Sequence, residues 1–235
     1  MLEAKRVVRN LGYNLFTLPL LLMLTLGIGS LYWPAFQLHW LLYLVVLPSM
    51  LIPLLPPRDM KHSLPSAGVS IAVCCYFGFA LISLAYIFSI SSTLSNGLDA
   101  GRWLIVFCIL MVWSGDSAAY LVGSSIGRRR IAPVVSPGKT VEGTLANLVG
   151  NFLFAYVASI TFLPELELLH VAALSVMFWL LGFYGDLIES SWKRGSGIKD
   201  SSHLLPGHGG IMDRVDSMFL TLPLFYFFMT HLVLQ

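Results

Sequence analysis

The sequence predicts an all-α integral membrane protein, a polytopic bundle of about seven transmembrane helices with a cytoplasmic N-terminus. Three observations carry this expectation. Of 235 residues, 57% are hydrophobic and only 11% are charged, whereas a soluble domain carries about a quarter charged residues. The apolar residues gather into runs near the length a helix needs to cross about 30 Å of hydrocarbon at about 1.5 Å per residue. When those runs are threaded alternately through a membrane, all but one of the 14 Lys and Arg residues fall on the same side. Alternating strands of about ten residues are absent, which argues against a β-barrel.

The predicted spans are about 13–33, 40–55, 67–90, 103–122, 144–162, 169–188 and 217–234. The first follows the basic stretch MLEAKRVVRNLGYN. With no A-x-A-like cleavage site after it, it reads as an anchor that stays rather than as a signal peptide. The second is short and holds Pro48 and Pro53, the pattern of a broken or re-entrant segment. The third and fourth carry Cys74, Cys75 and Cys108, which make no CxxC pair and read as buried, inert thiols.

The fourth span ends in WSGDSAAYLVGSSIGRRR. Asp116, Tyr120, Gly123 and Gly127 fall near one helix face, and small residues there admit a neighbouring helix. Taken singly, Asp116 suits a packing face equally well. Next comes SPGKTVEG, 136–143. Pro137 and Gly138 predict a turn, Thr140 a cap for the fifth helix, and Glu142 falls in that helix's first turn. Lys139 then sits beside a helix N-terminus, a place that favours phosphate. A Walker A loop is absent.

The sixth span ends in YGDLIESSWKR. Asp186, Glu189 and Ser190 lie at i, i+3 and i+4 on one face, followed by Lys193 and Arg194 at the interface. Between the sixth span and the last lies KDSSHLLPGHGGIMDRVD, 199–216. PGHGG reads as a loop whose backbone approaches a ligand closely. The last helix opens with Asp213 and Asp216 three apart, a spacing that allows a shared divalent cation; oxygen-only ligation suits Mg²⁺. Arg214 between them can pair with phosphate or carboxylate, while Asp213 alone also suits the helix dipole.

The charge count places the two polar stretches, about 123–143 and 189–216, together on the cytoplasmic side, with only Arg102 on the far side and the C-terminus opposite. Neither a repeat nor a soluble domain is visible. The expectation is a single membrane domain, 1–235, with N-terminal helices in 1–102 and the chemistry in 103–235. Carboxylates for a metal, cations and a glycine loop for phosphates, all at one membrane edge, suit phosphoryl or nucleotidyl transfer. A phosphate monoester nucleophile is already ionised near neutral pH, so no Ser–His pair is needed. An ion-coupled transporter would instead place charges near mid-membrane in repeated halves.

The segment Ser190–Asp216 closely resembles the signature of the CDP-diacylglycerol synthases, or phosphatidate cytidylyltransferases: S-x-x-K-R, K-D four residues later, then P-x-H-G-G-x-x-D-R-x-D. GDSAAY, SPGKTVEG and GDLIES also look like family segments, in the family's order, so the likeness covers about 103–235. Two departures are Trp192, where the family has a smaller apolar residue, and less transmembrane sequence ahead of the motifs than bacterial members carry.

The resemblance implies transfer of the cytidylyl group of CTP to phosphatidate, giving CDP-diacylglycerol and pyrophosphate with Mg²⁺. It implies a bacterial inner membrane with the site facing the cytoplasm, membrane lipids as surroundings, and a homodimer as the family suggests. No nucleic-acid partner is expected. Carried onto this chain, Asp213 and Asp216 hold metal, with Asp186 and Asp200 as further ligands or neighbours of the ligands and Asp116 completing the acidic chamber. Lys193, Arg194, Lys199 and Arg214 hold phosphates, Lys139, Ser136 and Thr140 stand across from them, and Ser190, Gly209 and Gly210 belong to the substrate site. His208 suits a phosphate donor and a loop-holding side chain equally. The same transfer to another lipid phosphate remains an alternative, because an apolar tail groove leaves no readable motif.

Overall fold

The structure is a computed structural model, described for residues 2–32, 38–52, 60–202 and 210–234. Its helices are α1 (Leu2–Asn10), α2 (Leu18–Gly29), α3 (Leu38–Leu51), α4 (Ser63–Phe88), α5 (Ala100–Ile126), α6 (Val141–Thr161), α7 (Leu168–Gly195) and α8 (Met212–Phe228). A short hairpin of β1 (Arg130–Ala132) and β2 (Ser136–Thr140) joins α5 to α6. The all-α expectation holds. Among the described residues five helices are long and apolar enough to cross a membrane: α4, α5, α6, α7, and α8 with the π turn that prolongs it to Val233.

The first two predicted spans take shorter helical forms. Instead of 13–33, α2 covers 12 residues, about 18 Å of rise. Residues 13–16 are not helical. The Ser66 and Ser70 hydroxyls accept the Asn14 and Phe16 N–H groups there, and Pro19 marks the first turn of the helix that follows. In place of 40–55, α3 covers 14 residues with Pro48 inside it. Pro53 lies outside the described residues.

The chain forms two compact units, Met1–Tyr86 with Ser191–Val215, and Ile87–Ser190 with Asp216–Gln235. In the first, α1 is amphipathic: Ala4, Val7 and Val8 are buried while Lys5, Arg6 and Arg9 are exposed. Leu20 and Met23 of α2, Val45 of α3, and Cys74 and Ile82 of α4 form a core cluster. Trp192, the departure from the family pattern, packs edge-on against Tyr76 with ring centroids 5.2 Å apart. The end of α7 turns at Gly197, whose φ of 71° suits glycine. There the Gly197 and Ile198 N–H groups donate to the Arg194 and Lys193 carbonyls, closing the helix.

In the second unit an aromatic trio fills the core. Phe107 of α5 stacks on Phe225 of α8 at 5.7 Å, and Phe178 of α7 meets both edge-on. Lipid tails are as apolar as these side chains, so close packing and small residues do more here than water exclusion. Along α5 and α6 the backbones approach through glycine. A Cβ on Gly143 would lie 2.8 Å from the Ala119 carbonyl oxygen and 3.2 Å from the Gly123 Cα. The small-residue face expected on the fourth span is thus a helix-packing face against α6.

Candidate active site

One cavity of the second unit, about 620 Å³, is lined from α5, the hairpin, α6, α7 and α8. Asp116, Tyr120, Gly123 and Gly127, expected on one face of α5, all line it. The hairpin delivers Lys139. Arg130 pairs with Thr140 and Ala132 with Ser136 across the strands, and the chain reverses at 133–135. The turn expected at Pro137 and Gly138 is therefore displaced. Both residues lie in β2, because strand register and the Arg130 guanidinium donating to the Gly138 carbonyl hold them extended. Thr140 caps α6 as expected, accepting the Gly143 N–H at 3.1 Å. Glu142, in the first turn, accepts the N–H groups of Arg128 and Arg129.

Lys139 Nζ lies 2.7 Å from Asp186 Oδ2 and 4.6 Å from the Phe183 ring centre, and it donates to the Phe183 carbonyl at 3.4 Å. Ser190 donates to the other Asp186 oxygen at 3.0 Å. A hydroxyl, a carboxylate and an ammonium thus run in series from α7 to the hairpin. Asp116 accepts from Asn147 at 3.4 Å, and Asn151 donates to Asn147 at 2.9 Å. Glu189, on the turn after Asp186, is fully buried. Asp216, on α8, accepts the Ser217 N–H at 2.7 Å. Ser136 lies in β2 and is not among the residues lining this cavity.

The first unit gathers signature residues around Asp213. Lys193 Nζ lies 2.7 Å from Asp213 Oδ1, and the pair is largely shielded, with side chains 12% and 8% accessible. Asp213 also accepts the Ser201 N–H and hydroxyl at 3.0 Å and the Gly210 N–H at 2.7 Å. Arg194, Lys199, Asp200 and Arg214 are exposed. His208 and Gly209 lie outside the described residues.

Among the described residues no group of three or more His, Cys, Asp or Glu side chains is drawn together as a ligand set. Asp116 nevertheless fits a divalent cation, because its accessible carboxylate carries only the long bond from Asn147 among the described residues. Asp186 supplies a second carboxylate on the same cavity. Oxygen donors of this kind, supplemented by water and phosphate, are what Mg²⁺ takes.

Asn147, Asn151 and Phe183, which also line the cavity, were not among the expected site residues. The two Asn residues carried a signal, amides four apart in a helix long and apolar enough to cross a membrane. Phe183 carried none, since its role depends on Lys139 being brought beside it.

The fold and the cavity define a helical membrane protein with paired carboxylates and a lysine suited to anionic phosphates. The Cytidylyltransferase family model matches residues 1–232, and the chain belongs to that family. It is 40% identical over 132 residues to the phosphatidate cytidylyltransferase of Haemophilus influenzae, covering 54% of this chain and 46% of that protein. It is 35% identical over 153 residues to the phosphatidate cytidylyltransferase of Bacillus subtilis, covering 64% and 57%. An Escherichia coli protein, YnbB, is 38% identical over 156 residues, covering 65% and 50%. The chain spans about half the length of these curated relatives.

Proposed function

We propose that this chain carries out, or forms the catalytic part of, phosphatidate cytidylyl transfer. CTP and phosphatidate give CDP-diacylglycerol and pyrophosphate. The observation that carries this reading is the Lys139–Asp186 pair on the same cavity as Asp116. It is supported by family membership and by the names of the relatives.

In the reaction a lipid phosphate oxygen forms a bond to the α-phosphorus of CTP as the bond from that phosphorus to the bridging oxygen breaks, and pyrophosphate leaves with the electron pair. Lys139, set by Asp186 and the Phe183 carbonyl, offers its ammonium to phosphate oxygens. Ser190 holds the Asp186 carboxylate in orientation. Mg²⁺, bound with Asp116 and Asp186, would neutralise phosphate charge and help align the groups. Asp213 and Asp216 are proposed as further ligands on the resemblance alone. Lys193, Arg194, Lys199, Asp200, His208 and Arg214, with Ser136, Thr140, Gly209 and Gly210, are assigned to the activity on the same ground.

A cytoplasmic site is supported by the one-sided distribution of basic residues, and a bacterial membrane by the bacterial relatives. A homodimer rests on the family resemblance. The test is purified protein in detergent with CTP, Mg²⁺ and phosphatidate, read by pyrophosphate release. Release that requires phosphatidate is expected. Release without any lipid phosphate, or none with any lipid phosphate, overturns the reading. Release with only a different lipid phosphate moves the assignment to that substrate.

A further inference from the structure

Glu3 lies on α1, 208 residues before Ile211, yet its carboxylate is bound there. Oε1 accepts the Ile211 N–H at 3.1 Å and Oε2 accepts the Met212 N–H at 2.8 Å. The Ser202 hydroxyl also donates to Oε1. N–H groups at the start of a helix have no acceptor within the helix. Here Glu3 supplies acceptors from outside for two at the entry to α8, and Asp213 accepts the preceding one, from Gly210.

Two further observations show that the contact is built in. A Cβ on Gly210 would meet Glu3 Oε1 at 2.5 Å and would collide with the Ser201 hydroxyl. The glycine therefore admits two side chains rather than only granting backbone freedom. In addition, Ala4, Val7 and Val8 bury the apolar face of α1, which fixes Glu3 toward Ser202 and the start of α8. Burial acts to raise the Glu3 carboxyl, but hydrogen bonds from Ser202, Met212, Ile211 and Ser201 hold it below its ordinary value of 4.5.

We infer that Glu3 is a positioning residue: by holding Ser202, Ile211 and Met212 it fixes the start of α8 and so the Asp213 carboxylate that pairs with Lys193. Its effect on turnover rests on the proposed cytidylyl transfer; the clamp itself does not. Its contribution belongs to orientation, where small displacements of a charged group cost rate rather than affinity.

The test uses the full chain with Glu3→Ala, Glu3→Gln and, as a control on the exposed face of α1, Lys5→Ala. Hydrogen exchange at 201–202 and 210–214 is expected to quicken in Glu3→Ala, to rise less in Glu3→Gln, which keeps one carbonyl oxygen, and to stay unchanged in Lys5→Ala. Pyrophosphate release is expected to show about a tenfold lower kcat in Glu3→Ala with KM for CTP within about twofold, and partial recovery in Glu3→Gln. Unchanged exchange at these residues in both Glu3 variants overturns the clamp. Changed exchange with unaltered kcat overturns the positioning role. If the parent protein releases no pyrophosphate with any lipid phosphate, the proposed function fails and the positioning role falls with it, while exchange still decides the clamp.

Discussion

Lys139 Nζ sits 2.7 Å from Asp186 Oδ2, with side chains only 19% and 31% accessible. The two residues are far apart in sequence and come from a hairpin and a long apolar helix. An ion pair so placed holds a lysine at a cavity wall without cancelling its use to an incoming phosphate, because Asp186 also accepts from Ser190.

The first prediction follows from that pair. Lys139→Ala and Asp186→Asn should each lower pyrophosphate release by about 100-fold, in the range of removing one charge-stabilising group. The double variant should lose much less than the product of the two, since contacting groups couple by about 0.5–3 kcal/mol. A double-mutant cycle on kcat/KM checks this, and full additivity would show that the two act independently.

The shielded Lys193–Asp213 pair makes a prediction about stability as well as rate. Asp213→Ala removes the 2.7 Å partner of Lys193 and should destabilise by about 3 kcal/mol, as for a buried pair broken on one side. Asp213→Asn keeps an acceptor for Gly210 and Ser201 and should cost less. Both should lower turnover at least about 100-fold. Thermal unfolding beside the release assay separates the two effects.

Packing of α5 on α6 gives a third. Gly143→Ala places a methyl 2.8 Å from the Ala119 carbonyl oxygen, so the backbones must part, at a cost of about 1–3 kcal/mol. Gly138→Ala meets nothing within 4 Å and should leave the melting temperature unchanged. Equal melting temperatures for the two variants would show that α6 has room to shift.

Acid should weaken the Glu3 clamp. A carboxyl held below its ordinary 4.5 contributes stability that is present above that value and is lost as pH falls through the lower folded value. The difference in melting temperature between parent and Glu3→Gln should therefore be constant well above pH 4.5 and shrink as the pH falls below 4.5. A difference that grows on acidification would reverse the sign and remove the clamp's electrostatic basis.

The helical membrane class, the order of the long spans and the residues of the signature were all readable from the amino-acid order. They follow from local quantities, namely the length of apolar runs, the placement of Lys and Arg, and fixed spacings such as Asp213 to Asp216. Thr140 as a helix cap was legible for the same reason, since a cap acts within three residues. The turn at Pro137 and Gly138 was misplaced because strand register depends on the partner strand as well as on turn-forming residues. That Lys139 pairs with Asp186, and that Glu3 holds Met212, emerged from the folded chain and from nothing before it. Hydrogen bonds and ion pairs act over about 3 Å, and which residues come that close is set by how helices pack, a property that no spacing along the chain encodes.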